Sequence, residues 1–222
     1  MSASKFLVTS NGGLSVFAVK CGHLDTNTGF IENANCGEAI VIDPSFGSFA
    51  ESKKILSPQT KIIAALCTHG HWDHIGDGHI FQELGAKVYS HELDKPLIEH
   101  PEVMAAFASI EEELVPCKVN GEITDGSVLN ISNWFEAACR WVPGHTMGGV
   151  TFYMKTLGCV FTGDTLFRGC IGRSDFHGGN EDLLIEGIKN KILTLPEETI
   201  VIPGHGAHTT IAREKAENEF FS

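Results

Sequence analysis

The chain has 222 residues, 42% of them hydrophobic and 20% charged, the proportions of an ordinary globular protein long enough to bury a substantial core. A formal charge of −12 argues against nucleic acid or an anionic membrane as the main partner, and no apolar run reaches the roughly 18 residues that suggest a membrane-spanning helix. The opening stretch MSASKFLVTSNGG lacks the long apolar segment and cleavage site of a secretory signal, and the seven cysteines are odd in number without a CxxC pair, so reduced thiols and a cytoplasmic location are expected.

No internal repeat, low-complexity tract or linker-like stretch interrupts the chain, so one domain is expected over 1–222. Strand patterns run over 14–22, 28–33 and 38–44, with a short helix at 49–56. KIIAALC (61–67) reads as a strand buried on both faces; a helix at 79–85 and a strand at 87–90 follow. From 91 to 115 the pattern is helical, through Leu97, Ile98, Val103, Met104 and Phe107, and broken at Pro101. Strands return at 127–131, 135–142, 149–154 and 158–163. An amphipathic helix over 180–193 has acids early and lysines late, as the helix dipole favours. A strand at 199–203 and a helix at 209–221 complete the pattern. Strands in two blocks, each followed by helices, predict two sheets packed face to face with helices outside.

Residues 68–74 read Thr-His-Gly-His-Trp-Asp-His and place His69, His71, Asp73 and His74 within six positions. Imidazole nitrogen and carboxylate oxygen are ligands that zinc and first-row transition metals prefer. The motif follows a strand and precedes a helix, the position where open α/β sheets hold their ligands. Four ligands from one short loop would crowd a single ion, which favours two neighbouring metals. Cys67 alternates away from His69 and is not expected to ligate. Three later sites share the strand-end context: His145 in WVPGHTMGG, Asp164 in CVFTGDTLF and His205 in IVIPGHGAH. Each alone also reads as a turn cap or surface residue; three beside a histidine-rich loop read as one site. His23, His79, His91, His100 and His208 are read as non-ligands, and His177 as a loop residue near the site mouth.

HGHWDH at 69–74, PGHT at 143–146, TGD at 162–164 and PGHG at 203–206 resemble the metallo-β-lactamase fold superfamily. FTGDTLF with GCIGRSDF (169–176) and PGHGAHTTIAREKAEN (203–218) resembles, more narrowly, the short glyoxalase II-like hydrolases. The resemblance runs from about IVIDP to the last helix. It implies an α/β fold, a four-layer αββα sandwich with two mixed sheets, and a binuclear site at one edge. Residue by residue, it implies that His69, His71 and His145 hold one metal, that Asp73, His74 and His205 hold the other, and that Asp164 bridges them. The ions would be divalent, zinc first, with iron or manganese as alternatives. Asp43 matches a position that supports the site, and also reads as a turn cap before Pro44.

The implied reaction is attack by a metal-bound hydroxide on a thioester such as a hydroxyacylglutathione, with Asp73 orienting the hydroxide and handling its proton. Two dications against two aspartates and one hydroxide leave a net positive centre that suits a small anionic substrate despite the acidic surface. Arg173 matches a basic position that contacts the carboxylate of the glutathione portion, and equally reads as an ion pair with Asp175. Two departures put glutathione recognition in question. The seventeen residues after His205 leave room for one helix and no separate C-terminal helical domain, and Gly206 and Ala207 stand where related enzymes carry a tyrosine. The alternatives are a mononuclear Fe(II) persulfide dioxygenase on the same fold, a lactone or other ester hydrolase, and a metal-binding protein without catalysis.

Overall fold

A computed structural model describes residues 6–106 and 112–222. Its first sheet is built from the N-terminal strands β1 (Leu7–Asn11), β2 (Leu14–Cys21), β3 (Thr26–Asn33), β4 (Glu38–Ile42), β5 (Lys61–Leu66), β6 (Lys87–His91) and β7 (Val119–Ile123), paired in that order. The pairing is antiparallel as far as β4 and parallel from β4 to β7. Helices α1 (Ser48–Ile55), α2 (Trp72–Ile75), α3 (Gly78–Glu83) and α4 (Lys95–Glu99) lie in the connections between the parallel strands. The second sheet contains β8 (Val128–Ser132), β9 (Phe135–Trp141), β10 (Val150–Met154) and β11 (Cys159–Gly163). A two-stranded hairpin, β12 (Leu166–Phe167) and β13 (Cys170–Ile171), and helix α5 (Glu181–Gly187) come next. Strands β14 (Ile200–Pro203) and β15 (Thr209–Thr210) join the second sheet, and α6 (Ile211–Glu217) follows. Its order is β15-β14-β11-β10-β9-β8, antiparallel except for the β11–β14 pair, so both sheets are mixed.

Period-two alternation assigns each side chain to a layer. In β4, Ile40 and Ile42 face the second sheet, whereas Ala39 and Val41 pack towards Ile55, Phe81 and Ile98 of α1, α3 and α4. In β11, Cys159 and Phe161 enter the space between the sheets, and Val160 meets Leu184, Ile188 and Ile211 on the opposite face. Three apolar layers between four structural layers define the αββα sandwich. The outer helices are held at their starts: the Asn180 side chain accepts from Leu183 N–H at 3.0 Å at α5, and the Thr210 hydroxyl accepts from Arg213 N–H at 3.3 Å at α6.

The strand and helix expectations hold, with local differences. β1, β7 and the β12–β13 hairpin lack strong signals because LVTSN, VNGEI and two-residue strands carry few alternating apolar positions. The expected helix over 91–115 reduces to α4 and a 3₁₀ segment at Pro101–Ala106, and residues 113–118 have no regular structure. Phe107 lies outside the described residues. The 180–193 helix ends as a π-helical turn at Ile188–Ile192, and Thr209 and Thr210 pair with β14 before the last helix begins. No helix among the described residues is long and apolar enough to cross a membrane.

Candidate metal centre

The buried strand β5 delivers its chain to one edge of the sandwich, where Cys67, Thr68 and His69 remain almost fully buried. His71 is extended, which puts its ring on the side of His69, and α2 then turns Asp73 and His74 into the same space. The second sheet supplies the rest: His145 follows β9, Asp164 follows β11 and His205 follows β14. Glycine makes two of these approaches feasible. Gly144 has φ 132°, and a methyl there would run into Asn180 and Leu184 of the α5 start. At Gly204 a methyl would overlap Asp164 Oδ1 and His74 Cε1.

The seven residues predicted as ligands all meet here. His71 Nδ1 lies 3.1 Å from His69 Nε2 and 3.0 Å from His145 Nε2. On the other side, His205 Nε2 lies 3.3 Å from His74 Nε2 and 3.1 Å from Asp73 Oδ2. Asp164 stands between the groups, 3.4 Å from His74 Nε2, 3.5 Å from His145 Nε2 and 3.6 Å from His205 Nε2. Its buried Oδ1 has no hydrogen-bond donor. Sets His69–His71–His145, His69–His74–Asp164 and Asp73–His74–His205 each bring one donor atom per residue within 4.8 Å of the others.

The outward ring nitrogens explain how the inner ones are used. His74 Nδ1–H donates to Asp43 Oδ2 at 2.9 Å, His145 Nδ1–H to the Arg173 carbonyl at 2.7 Å, and His205 Nδ1–H to the Leu24 carbonyl at 3.0 Å. The Thr68 hydroxyl donates to Asp43 Oδ2 at 2.7 Å, so it accepts from His69 Nδ1–H at 3.1 Å. A neutral imidazole that gives its Nδ1–H to a neighbour carries its lone pair at Nε2, so these four rings are oriented to offer Nε2 to a metal. Lone pairs about 3 Å apart repel unless a cation sits among them, and tetrahedral coordination at Zn–N 2.0–2.1 Å separates ligand nitrogens by about 3.3 Å. The donor set, the tautomers and the orphaned carboxylate oxygen all fit metal ions.

Electrostatics divides the cluster. Burial, reinforced by neighbouring histidines, pushes His69 far below the usual histidine range, and burial with His145 brings His71 down to about 4. Burial also opposes charge at Asp73, but His74 and His205 outweigh it and hold the carboxyl low. At Asp164, burial is outweighed by His74 and His145. Burial opposes charge at His74 and His205 too, but Asp73 and Asp164 outweigh it and raise both rings, so His69 and His71 stay neutral while the charged groups gather on the aspartate side.

Asp43 is one of two supports that bind the site together. Its φ is 50°, and its carboxylate accepts from Thr68 N–H and Thr68 Oγ1, both at 2.7 Å, as well as from His74. Of its two sequence readings, orientation of a site histidine is the one built. Asp94 was not foreseen. Its buried carboxylate accepts from Gly70 N–H at 2.9 Å, Thr146 Oγ1–H at 2.7 Å and Gly148 N–H at 2.7 Å, clamping the 69–71 loop to the His145 loop. Its place just beyond the carboxyl end of β6 was the available signal. Thr26, also unforeseen, donates to Asp73 Oδ2 at 3.0 Å.

Arg173 lies on the rim of the cavity over the cluster, together with His177. Its guanidinium makes two 2.9 Å bonds to Asp175 and sits 4.4 Å from the centre of the Phe176 ring. The ion-pair reading is thus the arrangement seen. Phe176 in turn packs edge-on against His71 and His145, with ring centres 5.4 and 5.8 Å away. Cys67 points into the helix-facing core and takes no part in the site. His91 stacks on Trp141, with ring planes 7° apart, and belongs to none of the three donor sets.

The chain belongs to the metallo-beta-lactamase superfamily, whose family model matches residues 21–205. Hydroxyacylglutathione hydrolase GloC of Haemophilus influenzae is 36% identical over 189 residues, covering 83% of this chain and 87% of that protein. The probable metallo-hydrolase YqgX of Bacillus subtilis is 32% identical over 186 residues, covering 83% and 88%. Among solved structures, BLEG-1 B3 metallo-beta-lactamase superposes with a TM-score of 0.85 at 32% identity, covering 93% of this chain and 99% of that one. TTHA1623 in a di-iron-bound form gives 0.80 at 33% identity, covering 92% and 100%.

Proposed function

We propose that the protein is a binuclear metal-dependent thioester hydrolase acting on hydroxyacylglutathione-like substrates. The observation that carries this is the pair of three-residue donor sets, His69–His71–His145 and Asp73–His74–His205, with Asp164 between them. The first set would hold one ion, the second set the other, and Asp164 would bridge. Zinc suits the nitrogen-rich set, while the di-iron form of TTHA1623 keeps iron in view. When bound, such ions supply Lewis acidity, lowering the pKa of a coordinated water from 15.7 to about 7 and polarising a carbonyl.

The protein groups do the positioning. Asp73, held ionised and fixed by Thr26, orients the attacking water and accepts its proton. Asp43, Thr68, Arg173 O and Leu24 O keep the imidazole lone pairs pointed inward. Arg173 meets an anionic substrate group by exchanging Asp175 for it. The balanced reaction consumes one water, breaks the acyl C–S bond, forms a C–O bond and releases a carboxylate, a thiol and a proton.

The GloC relative supports a thioester over other acyl substrates. Metal analysis, paired with hydrolysis assays on S-lactoylglutathione and a panel of thioesters and lactones, tests the proposal. About two ions per chain and metal-dependent thioester cleavage are expected. Hydrolysis confined to lactones, or oxygen uptake on glutathione persulfide, would overturn it.

A further inference from the structure

A cavity of about 510 Å³ opens directly over His71, Asp73, His145, Asp164 and His205. Leu93, Pro96, Leu97, Met104, Met147 and Phe176 are among the apolar residues that wall it. Leu93, Met147 and Phe176 are 41%, 47% and 39% exposed, so this apolar wall faces solvent beside the donor cluster. Exposed apolar groups gathered at one place mark a surface that something covers. Thr146, also in the lining, gives its hydroxyl proton to Asp94.

We infer that this wall receives the acyl chain of the substrate, and that the preferred substrates are thioesters of extended aliphatic or aromatic acids. The inference rests on the hydrolase reading above and narrows its substrate class. A thioester carbonyl placed at the donor cluster sends one arm along the wall. The acyl arm is the apolar one, whereas a peptide-like thiol carrier brings charged groups, which suit Arg173 once it exchanges Asp175 for them. Phe176 lies against His71 and His145, so an acyl chain would pass from the reacting carbonyl onto an apolar surface without a break.

The test uses the metal-loaded full chain and thioesters of one small thiol, N-acetylcysteamine, with acetyl, butanoyl and hexanoyl groups. A fully buried methylene is worth about fourfold and a half-buried one about twofold, so hexanoyl should exceed acetyl by about 16-fold or more in kcat/KM. Leu93→Gln with Met147→Gln, both at exposed positions, should cut that hexanoyl-to-acetyl ratio at least about fivefold. Circular dichroism and metal content check that the variant is folded. A flat or falling series, or a ratio the variant leaves intact, overturns the inference. Should the wall instead belong to a second copy of the chain, sedimentation would show a dimer that the variant dissociates, alongside a flat series. If no thioester is cleaved at any length, the hydrolase reading fails by itself. Calorimetric titration with acetate, butanoate and hexanoate then reads the wall directly: tighter binding with length supports it, and equal binding overturns it.

Discussion

Two buried carboxylates outside the predicted ligand set carry much of the organisation at the residue scale. Asp43 orients His74 and, through Thr68, His69. Asp94 joins the loops that carry His71 and His145. A carboxamide has one oxygen and cannot accept all three donors, so Asp94→Asn should strand a buried donor at a cost of about 1–3 kcal/mol. Because the residue acts by positioning, metal affinity should fall roughly 10–100-fold. Competition titration against a chromogenic chelator measures the fall, and unchanged affinity would refute the clamp.

The thiols give a second prediction at this scale. Burial pushes Cys21, Cys117 and Cys159 up to about 12 and Cys139 to about 11, and raises Cys67 strongly. Below the ordinary thiol value of 9.0 both folded and unfolded states keep these protons. As pH rises from 9 towards 12 the unfolded thiols ionise first, so stability present at neutral pH should be lost across that window. Urea midpoints at pH 8 and pH 10 should show the drop. An aromatic disulfide reagent at pH 8 should modify only Cys36 and Cys170 in the folded protein and all seven after unfolding.

At the scale of elements, each donor stands where a strand stops, and the strands are placed by what fills the space between the sheets. Phe152 and Phe161, both essentially buried, occupy that space beside Ile31, Ile40 and Ile42. Phe161→Ala should therefore cost about 3–5 kcal/mol, read from chemical denaturation. It should also lower metal content, because β11 carries Asp164 only two residues beyond the fully buried Thr162. A stability change with the metal content untouched would separate core packing from site placement. Much of the element pattern was legible. β4, β5, β10 and β11 announce themselves as apolar runs, whereas β1 and β7 were not visible because LVTSN and VNGEI take their strand conformation from neighbours.

The site is a junction between two halves of the molecule. His69, His71, Asp73 and His74 come from the first sheet, and His145, Asp164 and His205 from the second. Ions held between them should therefore tie the sheets together. Binding at 100 times Kd adds about 2.7 kcal/mol to stability. Chelation should lower Tm accordingly, and restored metal should recover it. A Tm indifferent to metal would mean that the ions do not join the two sheets.

The amino-acid sequence by itself determined which side chains could serve as donors, because imidazoles and carboxylates at strand ends carry their chemistry and approximate position in the order of residues. It also determined the layering, since period-two and helical periodicities follow from local sterics and burial. Only the tertiary structure decided which nitrogen of each histidine faces inward, because the partners that hold the outer nitrogens (Asp43, Thr68, the Arg173 and Leu24 carbonyls) lie as far as 181 positions away along the chain. It also brought Leu93, Met147 and Phe176 into the cavity lining beside the donors. Contacts of that kind are made by packing two sheets, and no local spacing encodes them.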